Sequence, residues 1–383
     1  MIVSSLSPEH FPLGLLTLAV YGPGTGEAQV LRFPDGTFGV VDGCRAHKGV
    51  VDPVHRLLQR FTDPVVRFVC LTHAHGDHFG GLLDLIDAYV PKLLLWAGSE
   101  GDRFRDRFVA SVRREQRGLP HPVDPDELQA LIDVLAFRTQ RKRGDVPRSR
   151  SVVLSDHKLV LRGADGVRVW GVLPTTTSLH RALGCGLHPL EEEDVEPRSR
   201  AGDPNDVSGA LLVEWGKARV LLGGDALRGD GAHHEGWAAA DWIDQDVQVV
   251  KVAHHASSGA HHAPLWARMK PRISIVTPYA DASGCQPPRE SQLRELLRTS
   301  RVFLTAPPSW WDGRLYLDGF DTGARVRPMG TPLTAVTGAG ARTPRVGSRD
   351  PESAVAVTLD AEGEVRELCC SGQARELRLR VEG

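Results

Sequence analysis

The chain predicts an α/β fold in one large domain, and three observations carry that prediction. Val65 to Leu71 is an apolar, β-branched run bounded by Pro64, which reads as a buried strand. It passes through a polar knot, THAHGDH, into a segment with helical spacing at Phe79, Leu82, Leu83 and Ile86. Near the other end, strand Ile273 to Thr277, helix Arg289 to Arg298 and strand Val302 to Thr305 repeat the alternation. With 383 residues the chain can bury a full core and still hold an insertion or a small appendage.

Leu15 to Tyr21, Gln29 to Phe33 and Phe38 to Asp42 read as three short strands, separated by GPGTGE and by a PDG hairpin turn. The knot and its helix lead to a strand from Lys92 to Trp96. Residues 98–150 then form a helical insertion that the alternating core does not need. Asp102 to Arg117 reads as a charged helix and Pro125 to Arg138 as an amphipathic one capped by Asp124 or Asp126. The basic run RTQRKRGDVPRSR behind them reads first as a solvated linker and second as a phosphate contact. Strands return at Leu154 to Leu161 and Val167 to Val172, followed by a polar loop, Glu191 to Asp203. His157, His180 and His188 read as surface or packing residues.

Two further strands joined by a WGK turn make up NDVSGALLVEWGKARVLLGGDA, which starts at Asn205 and ends in Gly-Gly-Asp-Ala. Asp241 to Ile243 and Val247 to Val252 read as strands leading to KVAHHASSGAHH and a helix from Pro264 to Met269. Trp310 and Trp311 read as core or rim. Beyond Gly330 the chain is rich in Gly, Thr and Pro, then forms a hairpin, Ala354 to Thr358 and Val365 to Cys369, around DAEG. The expected division is a main domain over 1–325 and a small C-terminal β extension over 326–383.

A net charge of -2 excludes a globally basic nucleic-acid binder, so any such contact must be local. The six cysteines show no CxxC spacing and read as reduced cytosolic thiols. The N-terminus lacks a basic region with a cleavage site, and its apolar run, Leu13 to Tyr21, is too short to span a bilayer. A cytoplasmic location without membrane contact is the expectation.

The knot itself points to metal chemistry. Side chains two apart in extended backbone point the same way, so His73 and His75 can grip one ion. The turn at Gly76 then swings Asp77 and His78 toward a second position. Neutral imidazoles and carboxylates are ligands that Zn²⁺ and similar divalent ions accept.

At these residues THAHGDH resembles the HxHxDH signature of the metallo-β-lactamase superfamily. The resemblance implies a four-layer αββα sandwich with a one- or two-metal site on one edge, used mostly for hydrolysis. It also implies that Asp42 orients a ligand from behind the site and that Asp225 is the carboxylate bridging two ions. The block from Leu16 to Gly43, the NDVS…LLGGD segment and KVAHHASS further resemble the competence-protein ComEC branch, with its PDG…DG hairpin, NDNS…LLTGD and HHGS. This chain reads GPGTGE where the branch reads GQGD, so no role is carried over to that turn. It also has Ala256 in place of the branch's Gly.

Many superfamily members have a third histidine where this chain has Asn205 and Asp206. An oxygen ligand, Asp206, is expected there with Asn205 behind it, making a harder site that admits Mn²⁺ or Mg²⁺ beside the favoured Zn²⁺. Of the pair after the last strand, His254 is expected to ligate the second ion and His255 to meet the substrate, with the reverse order left open. Ser257 and Ser258 either bind an anion or cap the next helix.

The resemblance implies a hydroxide shared by two ions as the nucleophile. Asp77 would bind metal and orient the water, and His255 or a second water would protonate the leaving group. The substrate class rests on the ComEC-type resemblance alone, which implies a phosphodiesterase or nuclease acting on nucleic acid or another phosphodiester. A role as effector of a bacterial multi-gene system, with a protein partner, is a further expectation. The rivals are an ester, thioester or lactam hydrolase on the same fold, and a binding module with a vestigial metal site.

Overall fold

The computed structural model of the chain describes residues 1–22, 26–44, 51–97, 130–132, 134–135, 149–182, 204–229, 235–279, 287–308, 315–317 and 350–379. In chain order its strands are β1 (Ile2–Val3), β2 (Leu16–Tyr21), β3 (Ala28–Arg32), β4 (Phe38–Val41), β5 (Gly43–Cys44), β6 (Val66–Leu71), β7 (Leu93–Trp96), β8 (Arg150–Val153), β9 (Lys158–Arg162) and β10 (Arg168–Leu173). They continue with β11 (Ala210–Trp215), β12 (Ala218–Leu222), β13 (Val249–Lys251), β14 (Ile273–Val276), β15 (Arg301–Leu304), β16 (Leu315–Leu317), β17 (Ala354–Leu359), β18 (Val365–Ser371) and β19 (Arg375–Leu379). Apart from β5 they form two nine-stranded sheets, ordered β1-β18-β17-β2-β3-β4-β6-β7-β8 and β16-β19-β15-β14-β13-β12-β11-β10-β9.

Side-chain alternation along the strands makes the layers. In β2, Leu16, Leu18 and Val20 enter the core between the sheets, whereas Ala19 and Tyr21 face the other way. Phe68 and Cys70 of β6 point inward, and Val69 and Leu71 point outward. On the second sheet, Val220 and Leu222 face in and Leu221 faces out. Helices Pro53–Leu58 and Leu82–Tyr89 cover the outer face of the first sheet through Leu57, Leu58, Leu82, Leu85 and Ile86. Helices Ala263–Met269 and Glu290–Leu297 cover the second through Leu265, Met269, Leu293 and Leu296. The expected αββα sandwich is the result.

Both sheets have a parallel centre. β4, β6 and β7 run parallel in the first, and β12, β13, β14 and β15 in the second. Loops leaving the carboxyl ends of such strands gather along one edge, which is where α/β folds place their ligands.

Two expected strands are different in the structure. Of the expected strand Leu154 to Leu161 only the second half is extended, as β9 on the edge of the second sheet; the strand before it, β8, ends at Val153 and closes the edge of the first sheet. The chain crosses between them over 154–157, where His157 takes φ +54°. Asp241 to Ile243 follows the 3-10 turn Gly236–Ala240, and the Ile243 N–H donates to Ala240 O at 3.2 Å. That closed turn excludes extended pairing, and the buried Ile243 side chain accounts for the apolar signal.

The C-terminal hairpin forms as β17 and β18, and the extension is built into both sheets: β17 pairs with β2, and β19 pairs with β15. Of the insertion's second helix, Leu131, Ile132 and Leu135 pack into the outer core of the first sheet. The expected helix at 102–117, the basic run through 148, the loop at 191–203, Trp310, Trp311 and the boundary at 325 lie outside the described residues. Cys44, Cys70, Cys369 and Cys370 are free and buried. No helix among the described residues is long and apolar enough to cross a membrane.

Candidate metal centre

β6 ends beside β4, so Thr72 and Asp42 emerge next to each other at the sheet edge. Asp42 Oδ1 accepts the Thr72 N–H at 2.8 Å, and Oδ2 accepts the Thr72 hydroxyl at 2.7 Å and His78 Nδ1–H at 2.8 Å. A carboxylate on Nδ1 keeps the proton there and turns the Nε2 lone pair outward. Asp42 thus stands directly behind His78.

His73, His75, Asp77, His78, Asp225 and His255 converge. His73 Nε2 lies 3.0 Å from His75 Nδ1 and 3.7 Å from Asp225 Oδ2. His78 Nε2 lies 3.4 Å from Asp225 Oδ2 and 3.5 Å from Asp77 Oδ2. His255 Nε2 lies 3.0 Å from Asp77 Oδ2 and 3.7 Å from Asp225 Oδ2. Asp225 reaches this point because Gly224, at φ +51°, tucks against Gly209, whose carbonyl oxygen would stand 2.4 Å from any Cβ. Ser208 Oγ holds the turn by accepting the Asp225 N–H at 2.9 Å.

The potential ligand atoms fall into two groups, each within 4.8 Å: His73, His75 and Asp225, and Glu27, His78, Asp225 and His255. Asp225 belongs to both.

The order expected within the His254/His255 pair is reversed. His255 turns Nε2 toward Asp77 and Asp225, while its Nδ1 sits 2.9 Å from the Thr277 carbonyl oxygen. His254 belongs to neither group; its Nδ1 is buried without a hydrogen bond. Three successive left-handed residues, His254, His255 and Ala256 at φ +45°, +53° and +58°, produce the exchange. Such a turn costs roughly 1–2 kcal/mol per non-glycine residue, a strain typical of functional sites. It also explains a preference for glycine at 256.

Asn205 lies in the 3-10 turn Pro204–Val207 and, with Ser208, Thr175, Ser178 and Ala226, lines a small open cleft. The Asp206 side chain lies outside the described residues. Ser257 and Ser258 do not cap the next helix, whose N-cap is His262.

Sequence reasoning missed Glu27. The register of β3 on β4 sets Gln29 opposite Val41, which brings Glu27 alongside the end of β4 and into the site. It is fully buried and sits 3.3 Å from His255 Nδ1, and its backbone N–H donates to the Asp77 carbonyl at 3.0 Å. Its partner Lys251, fully buried at the end of β13, donates to Glu27 Oε1. The available signals were faint: an acid between a glycine turn and a strand, and one lysine inside the apolar run VVKVA.

The donor set fits divalent cations. His78 Nε2 and Asp225 Oδ1 are buried and make no hydrogen bond. Burial pulls the His78 imidazole down, but Asp225, Asp77, Asp42 and Glu27 outweigh it and hold it well above the ordinary histidine value. Burial likewise acts downward on His255, and Asp225, Asp77 and Glu27 raise it. Burial pushes Asp77 and Asp225 upward, yet the facing imidazoles hold both below the usual carboxylate range. His73 is held well below its ordinary value by burial and by His78 and His75. A cluster this rich in buried carboxylate requires positive charge at its centre, which divalent ions supply on displacing protons.

A family model described as the metallo-beta-lactamase superfamily matches residues 49–271, a span that holds the 73–78 loop, Asp225 and the 254–255 pair. The chain belongs to the metallo-β-lactamase superfamily. Members of this superfamily are generally metal-dependent hydrolases. Similar solved structures include YhfI from Bacillus subtilis, a metallo-β-lactamase fold protein (10% identity, 75% of this chain and 96% of that one, TM-score 0.37). Igni18, a metallo hydrolase from Ignicoccus hospitalis, aligns at 12% identity over 75% of this chain and 94% of its own, with a TM-score of 0.38. CmlA, a diiron β-hydroxylase from Streptomyces venezuelae, aligns at 13% identity over 70% of this chain, with a TM-score of 0.34. This superfamily member spans 45% of CmlA's length. No curated protein matches the chain.

Proposed function

We propose that this superfamily member is a ComEC-like phosphodiesterase, with nucleic acid its foremost substrate, and that it works with two divalent ions, Zn²⁺ favoured over Mn²⁺ or Mg²⁺. The observation that carries the reading is the pair of ligand groups sharing Asp225. A shared carboxylate sets two positions side by side, the arrangement suited to clamping the attacking and leaving oxygens of a phosphodiester. The first position offers two imidazoles and the Asp225 carboxylate, a harder donor set than three imidazoles.

Bound ions would supply an activated water and charge to hold the oxygens of the group attacked. The chain's own groups do the rest. Asp77 Oδ2, between His78 Nε2 and His255 Nε2, is the carboxylate that binds at the second position and orients the water. His255 takes the ligand role, with its proton kept at Nδ1 by the Thr277 carbonyl. His254, with a buried and unbonded Nδ1, is the imidazole left to meet substrate.

Elemental analysis of the purified protein, followed by assays on DNA, RNA and bis(4-nitrophenyl) phosphate, tests this reading. Two ions per chain are expected, with cleavage that disappears in Asp77→Ala while circular dichroism stays unchanged. Metal-loaded protein that leaves all three substrates intact but opens a thioester or lactam would establish the rival hydrolase. Protein that retains no ion would be a binding platform.

A further inference from the structure

We propose that the buried Glu27–Lys251 pair is a positioning device that sets the second metal position, through hydrogen bonds to the loops of Asp77 and Asp225 and an ion-pair contact with His255. The inference rests on the two-ion reading above.

The pair reaches each loop through a different contact. Glu27's backbone N–H donates to the Asp77 carbonyl at 3.0 Å, which holds the loop from the first sheet. Its Oε2 lies 3.3 Å from His255 Nδ1 in the loop after β13, and accepts the hydroxyl of Thr277 at the end of β14, the residue whose carbonyl takes the His255 Nδ1–H. Lys251 Nζ donates to the Gly224 carbonyl at 3.1 Å, one residue before Asp225. Asp77, Asp225 and His255 come from distant parts of the chain, and this one ion pair reaches all three loops, two by backbone hydrogen bonds and the third at ion-pair distance from the His255 ring.

The direction of approach separates this role from that of a ligand. Thr277 O can only accept, so the hydrogen of His255 is on Nδ1, the edge that Glu27 faces. Glu27 Oε1 also lies 3.8 Å from His78 Nδ1, while both rings turn Nε2 toward Asp77 and Asp225. Glu27 therefore meets both imidazoles at their Nδ1 edges, opposite the Nε2 edges that face Asp77 and Asp225. A carboxylate there holds ring orientation and raises ligand basicity, and losing such a partner costs about 10–100-fold in metal affinity.

Stability alone gives no reason for two full charges at zero exposure, because a buried ion pair can usually be exchanged for packed apolar groups without loss. Gln29 Nε2 adds a further donor to Glu27 Oε1 at 3.3 Å, so the carboxylate is held by Lys251, Thr277 and Gln29 together.

The test compares wild type, Glu27→Gln and the double variant Glu27→Gln/Lys251→Met. Zinc stoichiometry and affinity are read by competition with a chromophoric chelator, and melting temperature by calorimetry. Glutamine keeps the shape but sets an amide donor against donors. Wild type is expected to hold two ions, and Glu27→Gln to lose about 10–100-fold in affinity for one and keep the other. The double variant is expected to recover its melting temperature but not that affinity, which a merely structural pair could not do. If wild type holds two ions and Glu27→Gln holds both as tightly, or if affinity and melting temperature recover together in the double variant, the positioning role is refuted and the two-ion reading survives. A wild type that holds fewer than two ions overturns both.

Discussion

Replacing Gly26 with alanine sets a methyl group against the backbone that carries Asp77. A Cβ at residue 26 would lie 2.5 Å from the Asp77 carbonyl oxygen and 3.2 Å from its carbonyl carbon. A relaxed carbon–oxygen contact is about 3.3 Å, so about 0.8 Å of separation has to be found. The same oxygen accepts the Glu27 N–H at 3.0 Å, so neither side can retreat alone. Moving the loop displaces Asp77, and moving the turn drags Glu27 from His255. Gly26 is outside the left-handed region, so the contact and not the backbone angle decides the outcome. Overpacking of this kind costs about 1–3 kcal/mol in stability. If Asp77 orients the nucleophile as proposed, a displacement approaching 1 Å costs about 10²-fold in turnover. The assay is steady-state hydrolysis of bis(4-nitrophenyl) phosphate at saturating zinc, with zinc content and melting temperature measured on the same samples. Gly14→Ala is the control: its φ is +75° with no atom within 4 Å of a Cβ, so it should lose about 1 kcal/mol and keep its turnover. Wild-type turnover and two bound ions in Gly26→Ala would refute the reasoning.

Asp42→Asn leaves an amide facing the Thr72 N–H and hydroxyl and His78 Nδ1–H, so zinc affinity should fall about 10–100-fold by chelator competition. Removing the ions with EDTA should lower the melting temperature, and zinc at a hundred times its dissociation constant should restore about 2.7 kcal/mol; an unchanged melting curve would count against a resident metal. Burial pushes the Cys370 thiol up to about 11, so at pH 8 only about one molecule in 10³ carries the thiolate. Iodoacetamide labelling read by peptide mapping should therefore be slow at Cys370 in the native protein, rise about tenfold per pH unit between 8 and 10, and become fast on denaturation.

The legible parts of the centre are those whose signal is local. His73, His75, Asp77 and His78 lie within six residues behind a strand, and Asp42 and Asp225 each end a strand in an Asp beside glycine. The sandwich itself was legible only through the resemblance that THAHGDH carries: β2 and β6 are buried on both faces, so their sequences read as buried strands without saying what covers each side. What could not be read depends on pairing or on backbone hand. Glu27 enters the site through the register of β3 against β4, a contact that its own neighbours do not encode. His255 replaces His254 because three left-handed residues rotate the turn, and adjacent identical side chains leave no pattern to separate them. The crossing at 154–157 escaped detection for a related reason: β8 and β9 are both strands, and only their partners in different sheets divide them.

The strands at 354–379 have a mechanical consequence. β17 zips onto β2, two ladders from β4 with its neighbouring Asp42, while β19, one strand further on, zips onto β15 in the opposite sheet. This short segment works as a common seam, and β1 is stitched to it from the far end of the chain, Ile2 against Cys370. Neither half of the sandwich can therefore melt by itself: opening the seam loosens both sheets together, and denaturation should proceed as one cooperative event in which ion release and loss of secondary structure coincide.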